Sequence, residues 1–164
     1  SISFGMARHQ VRLYNPSTWD TLKEHDLMQA EVGMAIESMP MDVYKQPRTE
    51  LTDEEKRRQA RGEDLGLSSF AAHVKLRAKH IVVVGTGHLR GEDANCRGRL
   101  LMFEVSRQQM DSYASFQVQL VAEKEIKGPA LTLAPMQGYV AVGVGPKVEL
   151  YKLVEDEIVC ICFI

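Results

Sequence analysis

The stretch His80–Gly87 has the sequence HIVVVGTG, and Tyr139–Gly145 has the similar sequence YVAVGVG. Uncharged runs rich in β-branched residues are typical of strands that are covered on both faces. Glycine supplies the positive φ of tight turns and also lets neighbouring backbones approach. Each run is followed, after a turn, by a strand with an aromatic residue, Arg99–Val105 in one case and Lys147–Leu153 in the other. This internal repeat predicts antiparallel hairpins that stack on one another.

The repeat extends along most of the chain. From the inner to the outer strand, one unit is predicted to contain Val32–Ser38, Ile81–Gly87, Arg99–Val105 and Phe116–Glu125. The next would contain Ala130–Ala134, Tyr139–Gly143, Val148–Leu153 and Ile158–Ile164, and an earlier unit would keep only Gln10–Tyr14 and a stretch near Thr18–Leu27. The expected fold is all-β, a partial WD-repeat-like β-propeller of about two and a half blades. A longer chain would supply the rest of the propeller.

The pattern divides the chain into four segments. Residues 1–40 hold the outer strands of one blade and the first strand of the next, and 73–127 hold the remainder of that second blade. Residues 128–164 form the third blade. Between them, 41–72 is a charged helical or loop insertion, in which Thr52 and Glu55 match a capping box and predict a short helix that ends at Gly62.

The bulk composition is that of a globular protein. The chain has 164 residues, of which 45% are hydrophobic, and a formal net charge of −2. No global field therefore attracts nucleic acid or an anionic membrane. The run Ile81–Val84 is far shorter than the ~20 residues of a membrane-spanning helix. Three cysteines are too few for a disulfide framework, which favours the cytosol or the nucleus.

No catalytic residue, metal site or cofactor is predicted. The pair Gly85 and Gly87 lacks the Gly-Lys-Ser/Thr ending of a phosphate-binding loop. Cys160 and Cys162 are expected on one face of a strand as buried small side chains, because side chains alternate along a strand. Trp19 is expected to pack under a blade rather than stack on a base.

The basic residues are the candidate contact residues for RNA or for a partner. Arg90, Arg97 and Arg99 cluster around a glycine-rich turn, and Lys124 and Lys127 flank another turn. Such clusters can contact phosphates. Acidic residues interleave with them, so a solvated rim of mixed charge is the alternative.

Four strings carry a resemblance to a known family. They are NPSTWD at Asn15–Asp20, NCRGRLLMFEV at Asn95–Val105, EKEIKGP at Glu123–Pro129 and QGYVAVG at Gln137–Gly143. In this order they resemble the C-terminal propeller of the large (A) subunit of the cleavage and polyadenylation specificity factor. The large damaged-DNA-binding subunit of a ubiquitin ligase has a string similar to EKEIKG, and splicing factor 3b subunit 3 has one similar to QGYVAVGVG. The Arg-Gly-Arg-Leu and Pro-Ser-Thr-Trp elements favour the polyadenylation family.

The resemblance implies a non-catalytic nuclear scaffold in pre-mRNA 3′-end cleavage and polyadenylation. Proteins of this family organise other subunits rather than catalyse, and resemblance to the polyadenylation member implies partners from an RNA-processing complex and contact with RNA. The alternative is a paralogous propeller scaffold, either of the splicing factor 3b complex or of a damaged-DNA-binding ubiquitin ligase. The family has no catalytic residues to carry over, and no cofactor or membrane is implied.

Overall fold

The structure is a computed structural model, which describes residues 8–45, 57, 60–61, 74–88, 97–110 and 113–164. Most of these residues lie in β-strands. In chain order the strands are β1 (Gln10–Tyr14), β2 (Thr21–Asp26), β3 (Glu31–Lys45), β4 (Val74–His88), β5 (Gly98–Met110), β6 (Tyr113–Ile126), β7 (Ala130–Met136), β8 (Tyr139–Val144), β9 (Lys147–Val154) and β10 (Glu157–Phe163).

The strands form two successive antiparallel meanders and a hairpin. Strands β3 to β6 each pair with the next strand along the chain, and β7 to β10 repeat this arrangement. β1 pairs with β2 in a separate sheet. A short parallel pairing of Val43 and Tyr44 with Leu153 and Val154 joins the two meanders. This is the order of strands that the repeat predicts.

The β3–β6 meander is covered on both faces, as its apolar strands require. Leu100 and Met102 point to one face, where they pack with side chains of β7 to β10 such as Val142. Leu101 and Phe103 point to the opposite face and pack with the hairpin of β1 and β2. Successive buried residues of β5 thus belong to two different cores, because side chains alternate along a strand. The layered arrangement confirms the all-β, propeller-like fold.

Several strands are longer than the sequence predicted, and β3 reaches into the predicted insertion. β3 runs through residues 41–45, which had been assigned to the insertion, and β4 begins at Val74. The apolar alternation in fact continues, because Met41 and Val43 are buried while Asp42 and Tyr44 between them are partly exposed. The prediction that the strand ends before residue 41 is wrong.

The end of β3 is tied to two turns of the second meander. The Asp42 N–H donates to the Gly138 carbonyl at 2.9 Å, and the Glu155 N–H donates to the Tyr44 carbonyl at 2.8 Å. The hydroxyls of Tyr44 and Tyr139 lie 2.7 Å apart. These contacts fix the two layers relative to each other.

The charged segment that follows β3 is described at three positions. Arg57 and Ala60 have helical conformation, and Arg61 lies in a turn. The rest of the predicted helix, including the capping box at Thr52 and Glu55, lies outside the described residues.

Candidate partner-binding surfaces

The five predicted contact residues do not form one surface. Arg90 lies outside the described residues. Arg97 and Lys127 are exposed, at the end of the sheet where β5 begins and β6 has ended. Arg99 is buried, and Lys124 is half-buried.

Arg99 is the centre of a buried polar network. Its Nε donates to Glu31 Oε1 at 2.8 Å, and its Nη2 donates to Glu31 Oε2 at 2.6 Å. Its Nη1 lies 3.2 Å from Glu123 Oε2. The Thr86 hydroxyl also donates to Glu31, at 2.6 Å. A guanidinium whose donors are committed to carboxylates in this way fixes strands together, so the burial of Arg99 favours a structural role over contact with RNA or a partner.

Glu31 remains ionised although it is fully buried. Burial by itself would raise the pKa of Glu31, but the hydrogen bonds from Arg99, from Thr86 and from the Met28 N–H lower it to about 2. The hydrogen bonds to Glu31 in turn raise the pKa of Arg99. Both groups are therefore charged at neutral pH, and the pair joins the start of β3 to β4 and β5.

Lys124 points to the opposite face from Arg99. It pairs with Leu100 in the register of β5 and β6, and Leu100 packs toward β7 to β10. Partial burial raises the pKa of the Cys160 thiol, and the positive charge of Lys124 acts in the opposite direction. The sheet therefore separates Lys124 from Arg97, whose guanidinium lies 3.3 Å from Glu125 in an exposed ion pair.

Trp19 projects into solvent from a hydrogen-bonded turn. Its side chain is 77% exposed, so the prediction that it packs under a blade is wrong. Its N–H donates to the Asn15 carbonyl at 2.8 Å, and the Asn15 N–H donates to the Asp20 carbonyl at 2.9 Å. The Asn15 side chain accepts from the Ser17 N–H at 2.9 Å. These bonds hold Trp19 at a φ of 62°, a conformation that bulky residues rarely adopt.

The same turn forms one wall of a cleft of about 700 Å³. The opposite wall belongs to the adjoining ends of β5 and β6. The lining residues are Asn15, Ser17, Thr18, Asp20, Arg107, Ser115 and Phe116. Thr18 and Asp20, which flank Trp19 in the chain, line this cleft, whereas the Trp19 side chain does not. The sequence contained a signal for the turn, since Asn before Pro-Ser starts an Asx turn.

Cys160 and Cys162 are exposed, which corrects their predicted burial. The register of β10 against β9 shifts between these two residues. Such an irregularity breaks the strict alternation on which the prediction depended. The Cys160 Sγ lies 3.6 Å from the Cys162 carbonyl.

Among the residues that the structure describes, no group of three or more His, Cys, Asp or Glu side chains is placed to hold a metal ion. Within the same ranges, no helix is long and apolar enough to cross a membrane.

The stacked meanders, their shared apolar core and the rim clefts define a propeller-like β protein. Its sequence matches the family model described as the CPSF A subunit region over residues 8–164. The chain therefore belongs to the CPSF A subunit family, which confirms the resemblance seen in its sequence strings.

Individual relatives agree with this assignment. A rice protein named probable cleavage and polyadenylation specificity factor subunit 1 is 31% identical over 83 residues, 51% of this chain and 6% of that protein. The Arabidopsis thaliana cleavage and polyadenylation specificity factor subunit 1 is 35% identical over 72 residues, 44% of this chain and 5% of that protein. Protein CFT1 of Debaryomyces hansenii is 22% identical over 157 residues, 94% of this chain and 10% of that protein. The chain thus spans a tenth or less of the length of these relatives.

Proposed function

We propose that this chain is part of a non-catalytic scaffold subunit of the nuclear machinery that cleaves and polyadenylates pre-mRNA. The observation that carries the proposal is the family match over residues 8–164. The names of the rice and Arabidopsis relatives point to the same machinery. The scaffold would bind protein subunits of an RNA-processing complex, and RNA contact is part of the proposal.

The arrangement of the ionisable groups supports a non-catalytic role. Catalysis requires titratable groups that converge on an accessible pocket. Here Glu31 and Arg99 satisfy each other inside the sheet, and Tyr44 is paired with Tyr139. None of these groups lines the cleft at the Asn15 turn, where Asp20 and Arg107 are the charged residues among the described lining. Stiff sheets whose polar groups are paired internally suit the display of rim residues to partners.

Within this proposal, the contact role predicted for the basic residues is carried by Arg97 and Lys127. Both are exposed, whereas Arg99 is held by Glu31. Contact with phosphates predicts RNA binding that weakens steeply with salt. Arg97→Ala and Lys127→Ala should each weaken RNA binding, and Arg12→Ala, in an exposed ion pair with Glu24 on the β1–β2 hairpin, should not. Salt-independent binding, or none at low salt, would remove RNA contact from the proposal.

The test of the scaffold role is a pull-down with the full-length protein from nuclear extract. Recovery of cleavage and polyadenylation subunits is the expected result. Recovery of splicing factor 3b subunits or of ubiquitin-ligase subunits in their place would overturn the proposal in favour of a paralogous scaffold.

A further inference from the structure

We draw no further inference here: the strongest candidate, the exposed thiol pair of Cys160 and Cys162 on β10, carries none, because the register shift between the two residues directs them to opposite faces of the sheet and no third metal ligand joins them among the residues that the structure describes.

Discussion

The ion pair of Glu31 and Arg99 gives the sharpest prediction for a single residue. Arg99→Met would leave the Glu31 carboxylate buried with only Thr86 and a backbone N–H as donors. Removal of one partner of a buried ion pair lowers the free energy of unfolding by about 3–5 kcal/mol. We expect a loss of this size in urea denaturation at neutral pH.

Arg97→Met is the matched control. Arg97 lies two positions before Arg99 in the chain, but its ion pair with Glu125 is exposed. Exposed pairs contribute about 0–1 kcal/mol. If Arg99→Met lowers the free energy of unfolding as little as Arg97→Met does, the Arg99 network does not stabilise the fold.

Glu31 also makes stability depend on pH. Its pKa is lowered from 4.5 to about 2 in the folded protein, so the unfolded chain takes up a proton first as the pH falls. The contribution of Glu31 is therefore fully present above about pH 4.5 and is lost as the pH falls toward about 2. The stability gap between the wild type and Glu31→Gln, measured by urea denaturation at several pH values, should narrow over this window. A gap that stays constant down to pH 3 would contradict the prediction.

The sequence alone predicted neither the pairing of Arg99 with Glu31 nor the exposure of Trp19. Arg99 stands among charged residues next to Gly98, which is the pattern of a surface turn, and Glu31 lies 68 positions away from it. Trp19 was assigned to the interior because tryptophan is highly buried on average. Asn15 before Pro16 signals the turn, but that signal does not show that the turn leaves the indole in solvent.

At the scale of the elements, Gly85 of β4 lies directly against Ala130 of β7. A methyl group at Gly85 would lie 2.6 Å from Ala130 Cβ, so either strand would have to move. Gly85→Ala should lower the free energy of unfolding by about 1–3 kcal/mol, as overpacking does. Gly33→Ala is the control, because nothing lies within 4 Å of a methyl group there. The two variants are compared by thermal or urea denaturation. Equal stability of Gly85→Ala and Gly33→Ala would show that β4 and β7 can move apart at little cost in free energy.

Tyr44 and Tyr139 connect the long end of β3 to the second meander. Their rings stack with centroids 6.0 Å apart, and the hydrogen bond between the two hydroxyls is the main cause that raises the pKa of Tyr44 to about 12. Tyr44→Phe should destabilise the fold by about 0.5–1.5 kcal/mol, since a single hydrogen bond is lost. Denaturation of Tyr139→Phe should give a similar loss. The double variant should lose little more than either one, and fully additive losses would contradict the bond.

The strands themselves were predictable, because alternation and glycine punctuation are local signals. The pairing of β8 with β9 follows from the short turn between two apolar runs, and the repeat extends the same pairing to β4 and β5. The extension of β3 was not predictable in this way. Its last residues are ordered by contacts to Gly138 and Glu155, which are distant in sequence. The shift in β10 at Cys160 was missed for a related reason, since no local residue pattern marks it.

At the scale of the whole molecule, the layers follow from the need to cover the β3–β6 meander on both faces. The core shared with β7 to β10 contains more buried residues than the core shared with the hairpin, within the part of the chain that the structure describes. The hairpin of β1 and β2 is also hydrogen-bonded only to itself in the sheet pairing of the described strands. Its attachment therefore depends on side chains such as Val11 and Leu27.

This asymmetry predicts an order of local opening that hydrogen exchange can measure. Amides of β4 and β5, which have paired neighbours on both sides, should exchange only through global unfolding. Amides of β1 and β2 should exchange faster, because the hairpin can detach by exposing only the smaller core. Leu27→Ala should speed exchange in β1 and β2 more than in β8, whereas Leu153→Ala should speed exchange in β8 and β9 more than in β1. Equal protection of β1 and β4 would show instead that the three layers unfold as one unit, and that the small core holds the hairpin as firmly as hydrogen-bonded pairing holds the central strands.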